Sequence, residues 1–139
     1  MSETDTVIVV GFVPKPQGHA ALRLAVREAQ ERNDKVLVVN WSGGDAPMDP
    51  SYASEDDLAA VRSTLDEAGV AHEVQQLVGV DGAEGVLRTA RDTRARLVII
   101  GLRKRTAAGK FLFGSNAQRI LMEAPCPVMS VRTDSDPDE

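Results

Sequence analysis

The sequence predicts an α/β fold: an open five-stranded parallel sheet in the order 3-2-1-4-5, with helices on both faces. Three observations predict it. Short β-branched runs alternate with segments whose apolar residues repeat at helical spacing. The runs Val7–Val10, Val36–Val39 and Leu97–Ile100 are continuous rather than alternating, the pattern of strands buried on both sides. The length of 139 residues, 42% of them hydrophobic, suits one domain with a full core and leaves no room for a second.

Each element follows in order. Val7-Ile8-Val9-Val10 is the first strand. After the Pro14-Lys15-Pro16 break, Leu22, Ala25, Val26 and Ala29 form the stripe of a first helix. Val36 to Val39 is the second strand, ending at Asn40-Trp41, and a loop from Ser42 to Tyr52 rich in Gly, Pro and Asp follows. The second helix starts near Ser54, turns Leu58, Val61, Leu65 and Ala68 inward, and stops at Gly69. Val70 to Leu77 is a third, outer strand. Asp81-Gly82-Ala83-Glu84 reads as a capping box for a third helix that buries Ala83, Val86, Leu87 and Ala90. Leu97 to Ile100 is the fourth strand, entering a basic loop at Gly101. Ser115-Asn116-Ala117-Gln118 reads as another capping box, opening a helix with Ala117, Ile120, Leu121 and Ala124 inward. Val128 to Val131 closes the domain, which is expected over 6–132, with 1–5 and 133–139 as disordered acidic tails.

Right-handed crossovers leave few ways to assemble these units. The Rossmann-like arrangement puts a switch point between strands one and four, and ligands in such sheets bind beyond the strand C-termini at that crevice. Gly11-Phe12-Val13-Pro14 and the segment from Gly101 to Ser115 would form its walls. Gly114 allows close approach to a ligand, and Ser115 stands where helix amides and the helix dipole favour a phosphate.

The charge pattern agrees with an anionic ligand. The formal net charge is -5. Residues 6–87 hold 6 bases and 13 acids, whereas residues 88–132 hold 10 bases and 2 acids. Much of that base, in Arg103, Lys104, Arg105 and Lys110, falls in the segment at the predicted crevice. Overall acidity speaks against a general nucleic-acid binder. No apolar run approaches the roughly 20 residues of a membrane span. The single cysteine, Cys126, between two prolines, reads as a buried small hydrophobe and fits a reducing cytoplasm. His19 and His72 lack metal-ligand spacing and read as surface residues. Gly109-Lys110-Phe111 is not a P-loop, since Lys104 stands at the required upstream glycine and Phe111 replaces Ser/Thr.

Gly101, Gly114 and Ser115, with the ending Ile120-Leu121-Met122-Glu123-Ala124-Pro125-Cys126-Pro127-Val128, resemble the universal stress protein family over residues 6–132. Its ATP-binding branch carries Gly, two residues, Gly, nine residues, then Gly with Ser or Thr. Here Lys104 stands at the second glycine, and Val13 replaces the acid that usually follows the first strand. The resemblance implies a homodimer through the edge strand 128–131 and a base seated near Gly11, Phe12, Val13, Asn40, Trp41, Ile100 and Gly101. Arg103, Lys104, Arg105 and Lys110 are the candidate phosphate neighbours, Gly114, Ser115 and Asn116 complete the expected nucleotide site, and Trp41 is placed to stack on the base or wall its pocket. Both departures make the mouth more positive, so ATP or another anionic ligand is expected to bind without an essential Mg²⁺. The expected role is a stress-response binding module without committed catalysis. The alternatives are a slow ATPase and a protein-interaction module that binds no nucleotide.

Overall fold

The computed structural model describes residues 6–43, 50–102 and 114–133. Among these residues nine elements follow one another: β1 (Val7–Gly11), α1 (Pro16–Arg32), β2 (Lys35–Ser42), α2 (Glu55–Glu67), β3 (His72–Val78), α3 (Gly82–Thr93), β4 (Leu97–Leu102), α4 (Ser115–Glu123) and β5 (Val128–Arg132). The strands form one sheet in the order β3-β2-β1-β4-β5, as the sequence predicts. All four pairings are parallel, and Val10 lies between Val38 of β2 and Ile99 of β4.

The β-branched runs carry one core on each face. Ile8 and Val10 point with Val36, Val38 and Ile99 toward α1 and α2, where Leu22, Ala25, Leu58 and Leu65 complete the layer. Val7 and Val9 point the other way with Leu37, Val39 and Val98, against Val86, Leu87 and Ala90 of α3 and Ile120 of α4. Successive residues of β1 therefore feed opposite layers, which is why a run without alternation is needed.

Several ends differ from the sequence expectation. The Pro14-Lys15-Pro16 break is itself the start of α1: Pro16 is its first residue, where a missing N–H costs nothing. Ser54 caps α2 in a full capping box with Asp57, its Oγ accepting from Asp57 N at 3.0 Å while Asp57 Oδ2 accepts from Ser54 N at 2.9 Å. Gly69 follows with φ +72°, the left-handed stop expected there. Asp81 does accept from Glu84 N at 2.8 Å, but the Glu84 carboxylate does not reach back. It takes Arg119 of α4 at 2.8 Å, with Arg88 and Arg91 at 3.7 and 3.8 Å. A three-arginine neighbourhood outcompetes one backbone amide. That hydrogen bond from Arg119 holds its guanidinium pKa above the usual arginine value.

The fourth helix also departs from expectation. Gly114 is its N-cap and Ser115 its first helical residue, so Ser115 is no capping-box residue. Ile120 is buried, but Leu121 is 43% exposed and Met122 is 84% exposed. The helix lies toward the edge of the sheet, and its nine residues turn only one stripe onto the core. β5 forms that edge and is itself half-exposed.

Candidate functional site

A cleft of about 650 Å³ opens beyond the C-terminal ends of β1 and β4, at the switch point. That volume is in the range of pockets that hold small ligands. Its floor is Gly11, Ile100 and Gly101, and its walls are the first turns of α1 and α4.

Two glycines let α1 sit this close. A β-carbon on Gly101 would lie 2.0 Å from the carbonyl oxygen of Gln17, in the first turn of α1. One on Gly18 would lie 1.9 Å from the carbonyl oxygen of Val13. The helix entry is thus held by backbone contact against β4 and against the β1–α1 connection. Gly114 is different: its φ of -62° suits any residue, and among the described residues a β-carbon there meets nothing within 4 Å. Space is left where the glycine faces the cleft.

The electrostatics favour an anion. Neither α1 nor α4 has a side-chain N-cap, and the first turns of both line the cleft. Both helix dipoles present partial positive charge there, with the first amides of α4 adding donors; in α1 Pro16 has no N–H, and Gly18 N and His19 N donate to Lys15 O at 2.9 and 3.0 Å. Lys15, the N-cap of α1, adds an ammonium, and no acidic side chain lines the cleft among the described residues. Ser115 and Asn116 also line it. Asn116 keeps its Oδ1 for Ala83 N at 3.1 Å, which ties α4 to the start of α3.

Trp41 forms the side of the cleft nearest β2. Its ring lies across the start of α3, where a β-carbon on Gly82 would come within 2.4 Å of it. Trp41 is therefore a wall whose ring plane is set by packing.

Of the residues the sequence singles out, Gly11, Val13, Trp41, Ile100, Gly101, Gly114, Ser115 and Asn116 come together around the cleft. Phe12 and Asn40 do not line it. Phe12 is fully buried in the α1–α2 layer, where His19 meets its ring edge-on at 5.2 Å. Asn40 is fully buried, and both its donor hydrogens and both its acceptor sites are used internally. Arg103 and Lys104, with Arg105 and Lys110, lie outside the described residues. Sequence reasoning missed several lining residues, among them Lys15, Gln17, Gly18, Ser51 and Thr133. Only Lys15 had a readable signal, a cation placed between prolines at a helix entry beside the switch point.

The other sequence candidates fall elsewhere. His72 is not a surface residue: its side chain is 14% exposed, with Nδ1 2.8 Å from Val70 O and Nε2 3.7 Å from Asp66. Cys126 is half-buried against the α3–α4 layer, and burial pushes its thiol up, away from the thiolate. Among the described residues no group of three or more His, Cys, Asp or Glu is placed to hold a metal.

Comparison with known proteins gives the same frame. The chain matches the model of the universal stress protein family over residues 6–132. The chain belongs to the universal stress protein family. A universal stress protein of Mycolicibacterium smegmatis is 40% identical over 126 residues, covering 91% of this chain and 97% of that one. The solved universal stress protein of Archaeoglobus fulgidus superposes with a TM-score of 0.74 at 27% identity, covering 91% of this chain and 93% of that chain. A universal stress protein from the same organism, solved in complex with dAMP, shares the fold with a TM-score of 0.59 at 23% identity and covers 91% and 96%.

Proposed function

We propose that this universal stress protein is a binding module whose switch-point cleft takes ATP or a similarly anionic nucleotide with little need for Mg²⁺. One observation carries the reading. Two helix N-termini without side-chain caps open on one cleft, beside Lys15 and with no acid in its described lining. The donor set fits phosphates, and the dAMP complex of a relative in fold supports a nucleotide. The base would lie against Gly11, Val13, Trp41 and Ile100, with the phosphates toward Gly114, Ser115 and Asn116. Lys15 supplies counter-charge that a metal would otherwise bring. Lys104, at the signature's second glycine, is proposed to add to it.

The titratable lining among the described residues is Lys15 alone, which supports binding rather than committed catalysis. Ligand occupancy would then signal to partners in a stress response. The half-exposed edge strand β5 supports a homodimer through residues 128–131. No helix among the described residues is long and apolar enough to cross a membrane, and a cytoplasmic location is proposed.

Calorimetric titration with ATP tests the reading. ATP is expected to bind with affinities that differ by less than about threefold with and without Mg²⁺. Strict metal dependence would overturn the charge argument, and absence of binding would overturn the nucleotide. Gly114→Ala adds a methyl group at a cleft-lining position where no described residue lies within 4 Å of it. Stability should change by less than about 1 kcal/mol, since lost chain entropy in the unfolded state offsets a poorer N-cap. ATP affinity should fall at least about tenfold, as a methyl group occupies space at the phosphate end. Equal affinity in this variant would place the phosphates elsewhere.

A further inference from the structure

A fully used polar side chain of the core lies just behind the cleft. Asn40, on β2, donates from Nδ2 to Phe12 O at 2.8 Å and to Ser51 O at 2.7 Å. Its Oδ1 accepts from Ala53 N at 2.9 Å and from Gln76 Nε2 at 2.9 Å. Gln76 stands directly beside it in the β2–β3 register, and its Nε2 also donates to Ala53 O at 2.8 Å. Five hydrogen bonds therefore run through two amide side chains.

What they join matters for the ligand. Phe12 is flanked by Gly11 and Val13, both in the lining, and Ser51 lines the cleft from the other side. Ser51 to Ala53 precede α2 and belong to neither helix nor strand. Backbone that lacks a ladder partner is held by whatever side chains reach it. Here the hub sets the separation between the β1 wall and the Ser51 wall. A purely structural polar pair could have been spent on either wall alone.

We infer that Gln76 and Asn40 are positioning residues for the cleft, fixing the Ser51–Ala53 wall before a nucleotide arrives. The inference rests on the nucleotide reading above. Neither residue touches the ligand. Both act by holding a wall that the ligand would otherwise have to order, a cost charged against affinity.

Gln76→Met tests this. Methionine keeps the length and shape of the side chain and removes both donations, while Asn40 Oδ1 keeps its bond from Ala53 N. ATP binding, measured by calorimetry, should weaken about tenfold, the equivalent of about one hydrogen bond. Hydrogen exchange at the Ala53 amide supplies the second readout. In the wild type ATP should leave that amide unchanged, because the wall is already set. In Gln76→Met exchange should be faster, and ATP should slow it again. Gln76→Thr, a side chain that suits an edge strand, carries the same expectation if methionine perturbs β3. Wild-type affinity in a folded variant overturns the inference, as does weakened binding with no ATP-dependent change at Ala53. A wild type that binds no ATP overturns this inference and the nucleotide reading together, an outcome distinct from the other two.

Discussion

Gly101→Ala is expected to lower stability by about 3 kcal/mol and Tm by about 10 °C, and to weaken ATP binding at least about tenfold. The added β-carbon would sit 2.0 Å from Gln17 O, a backbone atom in the first turn of α1. A flexible side chain could rotate away; a helical carbonyl cannot. The helix entry must move, and the next residue, Gly18, already rests against Val13 O with no room for a β-carbon. Gln17 and Gly101 both line the cleft, so the same displacement opens the site. The contrast with Gly114→Ala is the useful part. Gly101 and Gly114 both line the cleft, yet among the described residues only Gly101 has backbone in its way. Thermal melts and ATP titrations of the two variants should separate them: Gly101→Ala loses stability and binding, Gly114→Ala loses binding alone. A Gly101→Ala variant with the wild-type Tm would show that α1 is not seated on β4 as described.

That difference also marks how far the sequence can be read. The strands and their order were legible because Val7–Val10, Val36–Val39 and Leu97–Ile100 are too uniformly apolar for anything but strands covered on both faces. The cleft's location was legible for the same reason, since it is a property of the topology. Which side chains face it was not. Asn40 ends a strand beside the switch point, as a ligand residue would, but its bonds go to Phe12, Ser51, Ala53 and Gln76, partners up to 36 residues away. Glu84 fits a local capping pattern, yet Arg119, 35 residues on, takes its carboxylate. Local patterns state what a side chain could do. Long-range partners decide, and one sequence does not display them. The two glycines show the same limit, because spacing alone does not reveal whether a glycine serves a ligand or a neighbouring helix.

At the other end of the sheet, away from the cleft, Arg96→Ala is expected to cost about 3 kcal/mol, and Asp34→Ala distinctly less. Asp34 follows Asn33, the left-handed C-cap of α1, and its side chain is 2% exposed. Its Oδ2 accepts from Arg96 Nε at 3.1 Å and from the terminal NH2 nitrogen at 2.7 Å. Arg96 precedes β4 and donates its backbone N–H to Val7 O at 2.8 Å, so the pair fastens the α1–β2 turn to the start of β4. The partners are unequally placed. Arg96 is 25% exposed and has Glu28 at 3.9 Å, so without Asp34 its charge keeps both water and a carboxylate nearby. Asp34 has almost no water contact, so removing Arg96 leaves a buried charge without its counter-ion. Removing both should recover part of the loss, which a double-mutant cycle in urea would measure. ATP affinity should stay within about twofold of wild type in every folded variant, because the cleft lies at the opposite ends of β1 and β4. If Asp34→Ala proved the costlier single change, burial of the carboxylate would not be what makes this pair matter. If the charge reversal Asp34→Arg with Arg96→Asp were tolerated, the turn would be reading the pairing alone, not the depth at which each charge sits.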